Sequence, residues 1–201
     1  MLVNLETLKK NPFFDKGPQS VFYHETAAGD RLSRLLSVHL TEKIASPIVL
    51  VCIGTDRSTG DSLGPLVGSK LSERSLENFN VFGTLEDPVH ALNLEETLQS
   101  IKKQYVQPFV IALDACLGKA QSIGAISVGQ GPSKPGAAMN KKLPPVGNIH
   151  IHGVVNIQGF MEFFVLQNTR LNLVMKMADV IAAGIQKTDR YLTVSKKINH
   201  L

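Results

Sequence analysis

The sequence predicts a doubly wound α/β domain built on a mostly parallel β-sheet. Two short apolar runs, Ile48–Ile53 and Phe109–Leu113, have the length and continuous hydrophobicity of strands that are buried on both faces. Segments with helical spacing of apolar residues separate the predicted strands and give the order strand, helix, strand, helix, strand. Right-handed crossovers of this kind place consecutive strands in parallel. The 201 residues suit one such domain with a sizeable core.

Four helical segments are predicted from apolar residues that recur every three or four positions. Asp30 is a candidate N-cap for the first segment. The third segment has acidic residues near its start and basic residues near its end, which is the order that suits the helix dipole. The segments are residues 30–44, a helix that begins near Asp61 or Ser62, residues 92–105, and residues 160–185 as one helix or two abutting helices.

The other predicted elements complete the sheet and its connections. Three further strands are residues 80–85, 123–128 and 148–155. A segment rich in Pro, Gly and Lys, residues 131–145, is predicted as a long loop and a candidate lid. The predicted organisation is an N-terminal arm over residues 1–20, one domain over residues 21–190, and a basic C-terminal tail over residues 191–201.

The composition argues against several classes of partner. The net charge is +4 and the basic residues are scattered along the chain, so we expect no nucleic-acid partner. No apolar run approaches the roughly 20 residues of a membrane span, so we expect no membrane partner. Cys52 and Cys116 lie in or beside apolar strands, where a cysteine is usually a small buried hydrophobe. With no CxxC pair and no signal-peptide pattern, we expect a cytoplasmic protein.

Two aspartates that follow buried strands form the first candidate site. Asp61 lies at a predicted helix start, after the loop Gly54–Gly60, and Asp114 directly follows the strand Phe109–Leu113. The carboxyl ends of neighbouring parallel strands meet at one edge of a sheet, so we expect both carboxylates in one crevice. Close carboxylates raise one pKa and thereby provide a general acid beside a general base, or they share a metal ion. Alternatively, each aspartate is only a helix cap or a turn former.

The glycine-containing loop before Asp61 does not have the spacing of a nucleotide-binding loop. It matches neither G-x-G-x-x-G nor G-x-x-x-x-G-K-[ST]. An acidic residue at the helix start also competes with a phosphate for the same backbone amides. We therefore predict that Arg57 and Ser58 in this loop orient a substrate beside the carboxylates.

The histidines provide a second candidate site. His150 and His152 alternate on one predicted strand, so their side chains share a face and could hold a metal ion together with a carboxylate. The alternative is two polar residues on an exposed or half-covered strand face. His90 precedes a predicted helix and is assigned no role. A nucleophilic pair of Cys116 with His150 or His152 is disfavoured, because nothing in the sequence indicates a lowered thiol pKa.

Three separated segments resemble the YyaC family of sporulation proteins from endospore-forming bacteria. They are CIGTDRSTGDSLGP at residues 52–65, ALDACLG at residues 112–118, and GFMEFFVLQNTRL at residues 159–171. The resemblance runs from about residue 19 to residue 185. That family is similar in turn to the germination protease, which degrades small acid-soluble spore proteins, and to the hydrogenase maturation endopeptidases.

The resemblance implies a phosphorylase/hydrolase-like fold, a three-layer α/β/α sandwich. It also implies a site, because Asp61 matches the aspartate of the T-P-D-A-L-G-P segment of the germination protease and Asp114 matches that of its I-D-A-L segment. These two residues are therefore the implied catalytic carboxylates of an endopeptidase. In the hydrogenase endopeptidases a later histidine joins the acidic pair to bind nickel, and His152 is the candidate for that position.

Three functions follow from the residues and the resemblance together. The first is a sporulation-associated endopeptidase that needs no cofactor and acts on a protein or peptide substrate, spore proteins among them, in the cytoplasm or the forespore. The second is a non-catalytic sporulation regulator or binding protein. The third is a maturation factor that binds a divalent metal through Asp61, Asp114 and His152. Assembly into a homo-oligomer stays open.

Overall fold

A mixed β-sheet forms the middle layer of the protein in a computed structural model, which describes residues 19–136 and 143–199. Within these residues the sheet has six strands in the order β1-β5-β6-β4-β2-β3. The strands are β1 (Gln19–Phe22), β2 (Ile48–Cys52), β3 (Phe79–Phe82), β4 (Phe109–Gly118), β5 (Ala125–Gln130) and β6 (Ile149–Ile157).

Parallel pairing dominates the sheet, as the sequence predicts. Strands β6, β4, β2 and β3 pair with one another in parallel. The remaining two strands are antiparallel additions, because β5 pairs antiparallel with β6 and β1 pairs antiparallel with β5. Strand β1 lies at the edge of the sheet and was not predicted, since it is four residues long and only Val21 in it is fully buried.

Helices cover both faces of the sheet, which confirms the three-layer α/β/α arrangement. They are α1 (Ala28–Leu40), α2 (Leu63–Ser72), α3 (Leu94–Gln104), α4 (Glu162–Gln167) and α5 (Leu171–Asn199). One core cluster joins the sheet to α1, α2 and α5, for example through Leu36, Leu113 and Ile181. The other joins the opposite face of the sheet to α3, for example through Ala112 and Ile101.

The predicted long helix over residues 160–185 consists of two helices, α4 and α5, separated by residues 168–170. Helix α5 then continues to Asn199, so residues 191–199 of the predicted tail are helical. The extension is explained by burial of Thr188, Asp189 and Leu192. The Asp189 carboxylate accepts hydrogen bonds from the backbone N–H groups of Glu77 and Asn78, which fixes the helix against the chain that leads into β3.

Two smaller predictions need correction. Strand β4 does not end at Leu113 but continues to Gly118, because β6 pairs with it beyond the point where β2 stops. The N-cap of α1 is Ala27 rather than Asp30, which lies in the first turn instead.

Parts of the chain named in the predictions lie outside the described residues. They are residues 1–18 of the predicted arm, residues 137–142 of the predicted loop, and residues 200–201. The described ends of that loop pair with each other, since the N–H of Ser133 donates to the carbonyl of Val146 at 2.8 Å. Within the described residues no helix has the length and apolar character that crossing a membrane requires.

Candidate active site

Asp114 lies on β4, just beyond the end of the neighbouring strand β2. The last pair between β2 and β4 joins Cys52 to Leu113, so Asp114 is the first residue of β4 beyond the end of β2. Its side chain is on the face of the sheet that α3 covers, because it follows Ala112 by two positions. Only 9% of the residue is exposed. A carboxyl group in this position is shielded from water on most sides.

Asp61 reaches the same edge of the sheet through the loop over residues 54–62. The N–H of Thr55 donates to the carbonyl oxygen of Asp61 at 3.2 Å, which brings the end of the loop back to the end of β2. Gly54 has a φ of 143°, and a Cβ atom built on it would overlap that same carbonyl oxygen. Gly60 donates to the carbonyl of Leu166 in α4 at 2.9 Å. The loop is therefore held at both ends, and Asp61 is half-buried within it.

The two carboxyl groups interact with each other. Burial, and secondly the negative charge of Asp61, raise the pKa of Asp114 to about 8, while the Ala115 N–H opposes this rise. Burial raises the pKa of Asp61 to about 6, against the opposing effects of the Thr55 N–H and of His90. The pair therefore holds about one proton near neutral pH, with Asp114 protonated and Asp61 ionised. The structure brings together the two aspartates that the sequence singled out.

The two predicted substrate-binding residues have different environments. Arg57 is exposed, and within the described residues its guanidinium has no ion pair. Ser58 is 9% exposed, and its Oγ has no hydrogen-bond partner among the described residues. A buried hydroxyl without a partner is costly unless something else supplies a hydrogen bond. The Ser58 hydroxyl lies in the loop that carries Asp61, and within the described residues it can still donate and accept a hydrogen bond.

His152 lies beside Asp114 but is engaged in other contacts. The two residues are paired across β4 and β6. The Nε2 of His152 is 2.9 Å from Oγ of Ser133, and its ring stacks on His150 with centroids 4.2 Å apart. Burial, and secondly the charge of His150, lower the pKa of His152 to about 4. The half-buried His152 therefore holds the chain near Ser133 against the sheet in its neutral form.

Asp61, Asp114 and His152 do not fit the metal site that the resemblance to the hydrogenase endopeptidases implies. Within residues 19–136 and 143–199, no three His, Cys, Asp or Glu side chains are arranged to hold a metal ion. The Nε2 of His152 is already hydrogen-bonded to Ser133. The candidate site therefore consists of the two carboxyl groups.

Sequence reasoning missed His90, whose charge lowers the pKa of Asp61. The preceding residue, Val89, forms a parallel bridge with Ile53, which brings His90 to the same edge of the sheet. A usable signal was present, since His90 lies between a predicted strand and a predicted helix, as Asp61 does. The bridge that fixes its position is a single pair of residues and leaves no periodic pattern in the sequence.

The cysteines do not provide a nucleophile. Both are free thiols. Burial, and secondly the charge of Asp114, raise the pKa of Cys116 to about 12. Burial also raises the pKa of Cys52. A thiol of this kind is protonated at neutral pH and is a poor nucleophile.

An apolar surface lies next to the site, formed by five exposed residues of the segment 157–164. This segment overlaps the start of α4, and α4 contacts Gly60 through Leu166. Phe160 is 88% exposed, and Met161 is held in the left-handed region with a φ of 56°. Large exposed apolar patches usually mark a binding surface. Its members are Ile157, Phe160, Met161, Phe163 and Phe164.

The fold and the site define an α/β protein with two interacting carboxyl groups at one edge of a largely parallel sheet. Among solved structures, the chain is similar to the NiFe hydrogenase maturation protease HycI from Thermococcus kodakarensis KOD1, with a TM-score of 0.50 at 16% identity. The similarity covers 75% of this chain and 99% of that chain. At this level of identity it establishes the fold.

The family is established by sequence. Residues 20–184 match the family described as Protein of unknown function (DUF1256), and the chain belongs to that family. It is also 54% identical over 183 residues to a protein of Bacillus subtilis (strain 168) described as Uncharacterized protein YyaC. That match covers 91% of this chain and 89% of the relative. The predicted resemblance to YyaC is therefore confirmed.

Proposed function

We propose that the protein is a peptide hydrolase in which Asp61 and Asp114 act as base and acid on a protein or peptide substrate. The observation that carries the proposal is the pair of raised pKa values, about 6 for Asp61 and about 8 for Asp114. Near neutral pH this leaves one ionised and one protonated carboxyl group in the same crevice. Such a division is what acid–base catalysis of amide hydrolysis requires.

In the proposed reaction the Asp61 carboxylate takes a proton from a water molecule as the water oxygen attacks the scissile carbonyl carbon. Asp114 gives its proton to the substrate, and the C–N bond then breaks with that proton on the leaving amine. The products are a carboxylic acid and an amine, and the elements of one water molecule have been added. Asp114 ends ionised and Asp61 protonated, so a proton exchange between the pair restores the starting state.

Substrate binding is assigned to the loop before Asp61. Ser58 offers a buried hydroxyl without a partner among the described residues, and Arg57 offers an exposed guanidinium. Both groups suit the carbonyl and carboxylate oxygens of a peptide. The resemblance of the segment around Asp61 to the germination protease supports spore proteins as substrates and a role in sporulation.

The test is cleavage of small acid-soluble spore proteins and of a mixed peptide library, followed by mass spectrometry. Asp61→Asn and Asp114→Asn should each lower the cleavage rate by about 100-fold or more, because each removes an acid–base group. Asp56→Asn is the matched control, since Asp56 is an exposed aspartate of the same loop. Wild-type activity in both site variants would remove the acid–base roles, and no cleavage by the wild type would remove the proposed function.

The exposed apolar surface favours a second candidate, a sporulation regulator or binding protein without catalysis. A binding protein would form a stoichiometric complex with a spore protein and leave it intact. In that case Phe160→Ser should weaken the complex measured by calorimetry, whereas Asp114→Asn should not. Val106→Ser is the matched control, because Val106 is similarly exposed, at 85%, outside this surface. Cleavage of the bound protein by the wild type would decide for the hydrolase.

A further inference from the structure

The backbone segments that carry His90 and Asp61 both contact Gly54, at the end of β2. On one side, the N–H of Gly54 donates to the carbonyl of Val89 at 2.8 Å, and Val89 directly precedes His90. On the other side, the carbonyl oxygen of Asp61 lies where a Cβ atom of residue 54 would be. Glycine at position 54 thus allows the Asp61 segment to approach the strand end. The fold therefore brings the two segments that carry the His90 imidazole and the Asp61 carboxyl group to the end of β2.

The imidazole of His90 is held in a defined orientation by the turn that follows it. The N–H of Leu92 donates to Nδ1 of His90 at 3.3 Å, and the N–H of His90 donates to Oδ1 of Asn93 at 2.8 Å. Asn93 in turn donates from Nδ2 to the carbonyl of Pro88 at 2.9 Å. Because Nδ1 accepts this hydrogen bond, the N–H of the ring is on Nε2. Within the described residues this Nε2 has no hydrogen-bond partner.

The charged groups around His90 differ in their exposure. Asp61 approaches from the loop over residues 54–62 and is half-buried, and Asp114 lies beyond it on β4. Glu86 and Asp87 belong to the same connection as His90 but are exposed, where water and salt screen their charges. The electrostatic effect of His90 lowers the pKa of Asp61. The backbone contacts at Gly54 and the electrostatic effect on Asp61 therefore both point to the pair of His90 and Asp61.

We propose that His90 is the third side chain of the acidic site and a positioning residue that keeps Asp61 in its ionised form. This inference rests on the proposed function only in giving Asp61 the role of base. Burial by itself favours the neutral carboxyl, which cannot take a proton from water. The positive edge of the His90 ring counteracts that effect and leaves Asp114, further inside the sheet, as the protonated partner.

The test is a titration of the Asp61 carboxyl carbon by NMR, with the resonance assigned by its loss in Asp61→Asn. His90→Asn keeps an acceptor where Nδ1 accepts from Leu92 and removes Nε2 with its N–H. We expect the titration midpoint of Asp61 to rise by about one pH unit in this variant. His90→Gln, which retains a polar side chain of similar length, should raise it as well and serves if the first variant is not folded.

The matched control is His39→Asn, a histidine substitution on α1, on the opposite face of the sheet from Asp114. It should leave the midpoint of Asp61 where it is in the wild type. An unchanged midpoint in folded His90→Asn or His90→Gln overturns the inference. The titration needs no substrate, so it decides this point even if the wild type cleaves nothing and the proposed function fails. Where cleavage is measured, the acidic limb of the pH profile of kcat should move to higher pH by the same amount in the His90 variants.

Discussion

Asp114 and His152 occupy paired positions on the neighbouring parallel strands β4 and β6, so their side chains lie on the same face of the sheet. On that face burial raises the pKa of Asp114 to about 8 and lowers that of His152 to about 4. Near neutral pH both side chains are therefore uncharged, which avoids the cost of burying an unpaired charge. The ionised group of the site is left to Asp61, which is half-buried at the end of β2.

Asp114→Asn should make the protein less sensitive to alkaline pH. The pKa of Asp114 rises from 3.8 to about 8 on folding, so the folded state binds a proton that the unfolded chain releases between these two values. This contribution to stability is fully present below about pH 4 and is lost as the pH rises toward 8. Asparagine does not ionise, so the free energy of unfolding of the variant should exceed that of the wild type by an amount that grows as the pH is raised, by at most about 1.4 kcal/mol per pH unit.

The measurement is urea unfolding of both proteins at intervals from pH 5 to pH 9. Asp87→Asn serves as the control, because Asp87 is an exposed aspartate in the connection between β3 and α3. The interpretation of Asp114 as a buried acid is wrong if the difference between Asp114→Asn and the wild type does not change with pH. A variant that gains stability but loses cleavage would show that the carboxyl group is kept for chemistry rather than for folding.

His152→Gln should protect the protein at acidic pH. The pKa of His152 falls from 6.5 to about 4 on folding, so the unfolded chain binds a proton between these values that the folded protein does not. The contribution of His152 to stability is therefore fully present above about pH 6.5. It is lost as the pH falls toward 4, by about 2 to 3 kcal/mol for one such group. Glutamine can still bond to Ser133 but does not titrate, so the variant should lose less stability between pH 7 and pH 4.

Ser133→Ala separates the contribution of the hydrogen bond to stability from the contribution of the His152 titration. It removes the 2.9 Å contact with Nε2 of His152 but leaves the imidazole in place. We expect this variant to be about 1 kcal/mol less stable than the wild type at neutral pH. It should also keep the loss of stability toward pH 4. Thermal unfolding followed by circular dichroism at several pH values measures both effects, and equal acid sensitivity in His152→Gln and the wild type would contradict the assignment.

Gly54→Ala should disrupt the site far more than the same change at Gly159. The two glycines have nearly the same φ, 143° and 147°. A Cβ atom at Gly159 meets nothing within 4 Å, so only backbone strain of about 1 to 2 kcal/mol is expected. A Cβ atom at Gly54 overlaps the carbonyl of Asp61, which should raise the cost above about 3 kcal/mol and displace Asp61.

Chemical unfolding of both variants gives the difference directly. A carboxyl titration of Gly54→Ala by NMR then reports whether Asp61 still lies beside Asp114. Equal destabilisation by the two substitutions would mean that backbone strain alone determines the cost, and that the close approach of Asp61 to the strand end contributes nothing.

Continuous apolar runs made the centre of the fold predictable from the sequence. Strands β2 and β4 are covered on both faces, so nearly all their residues must be apolar. Asp61, in the loop after β2, and Asp114, after the apolar run of β4, therefore stand out in the sequence. The edge strand β1 has no such requirement, because it pairs only with β5 and buries little more than Val21. Its four residues therefore carry no pattern to detect.

The remaining features depend on contacts between residues that are distant in sequence. His90 joins the site through the single bridge between Val89 and Ile53. The C-terminal half of α5 is stabilised by Asp189, which binds backbone more than 100 residues earlier in the chain. Polar residues of this kind resemble a solvated tail in the sequence, since their partners are visible only once the chain has folded.

Asp189→Ala should therefore destabilise the protein strongly, although Asp189 lies only a few residues before the predicted tail. Its carboxylate accepts hydrogen bonds from the N–H groups of Glu77 and Asn78, the shortest of them 2.8 Å, and only 3% of the residue is exposed. Removing it leaves buried N–H groups without a partner, at a cost of about 2 to 4 kcal/mol. Asp179→Ala on the same helix breaks only a surface ion pair with Lys70 and should cost less than about 1 kcal/mol. Urea unfolding of the two variants decides the matter, because a tail without structural contacts would give the same small loss in both.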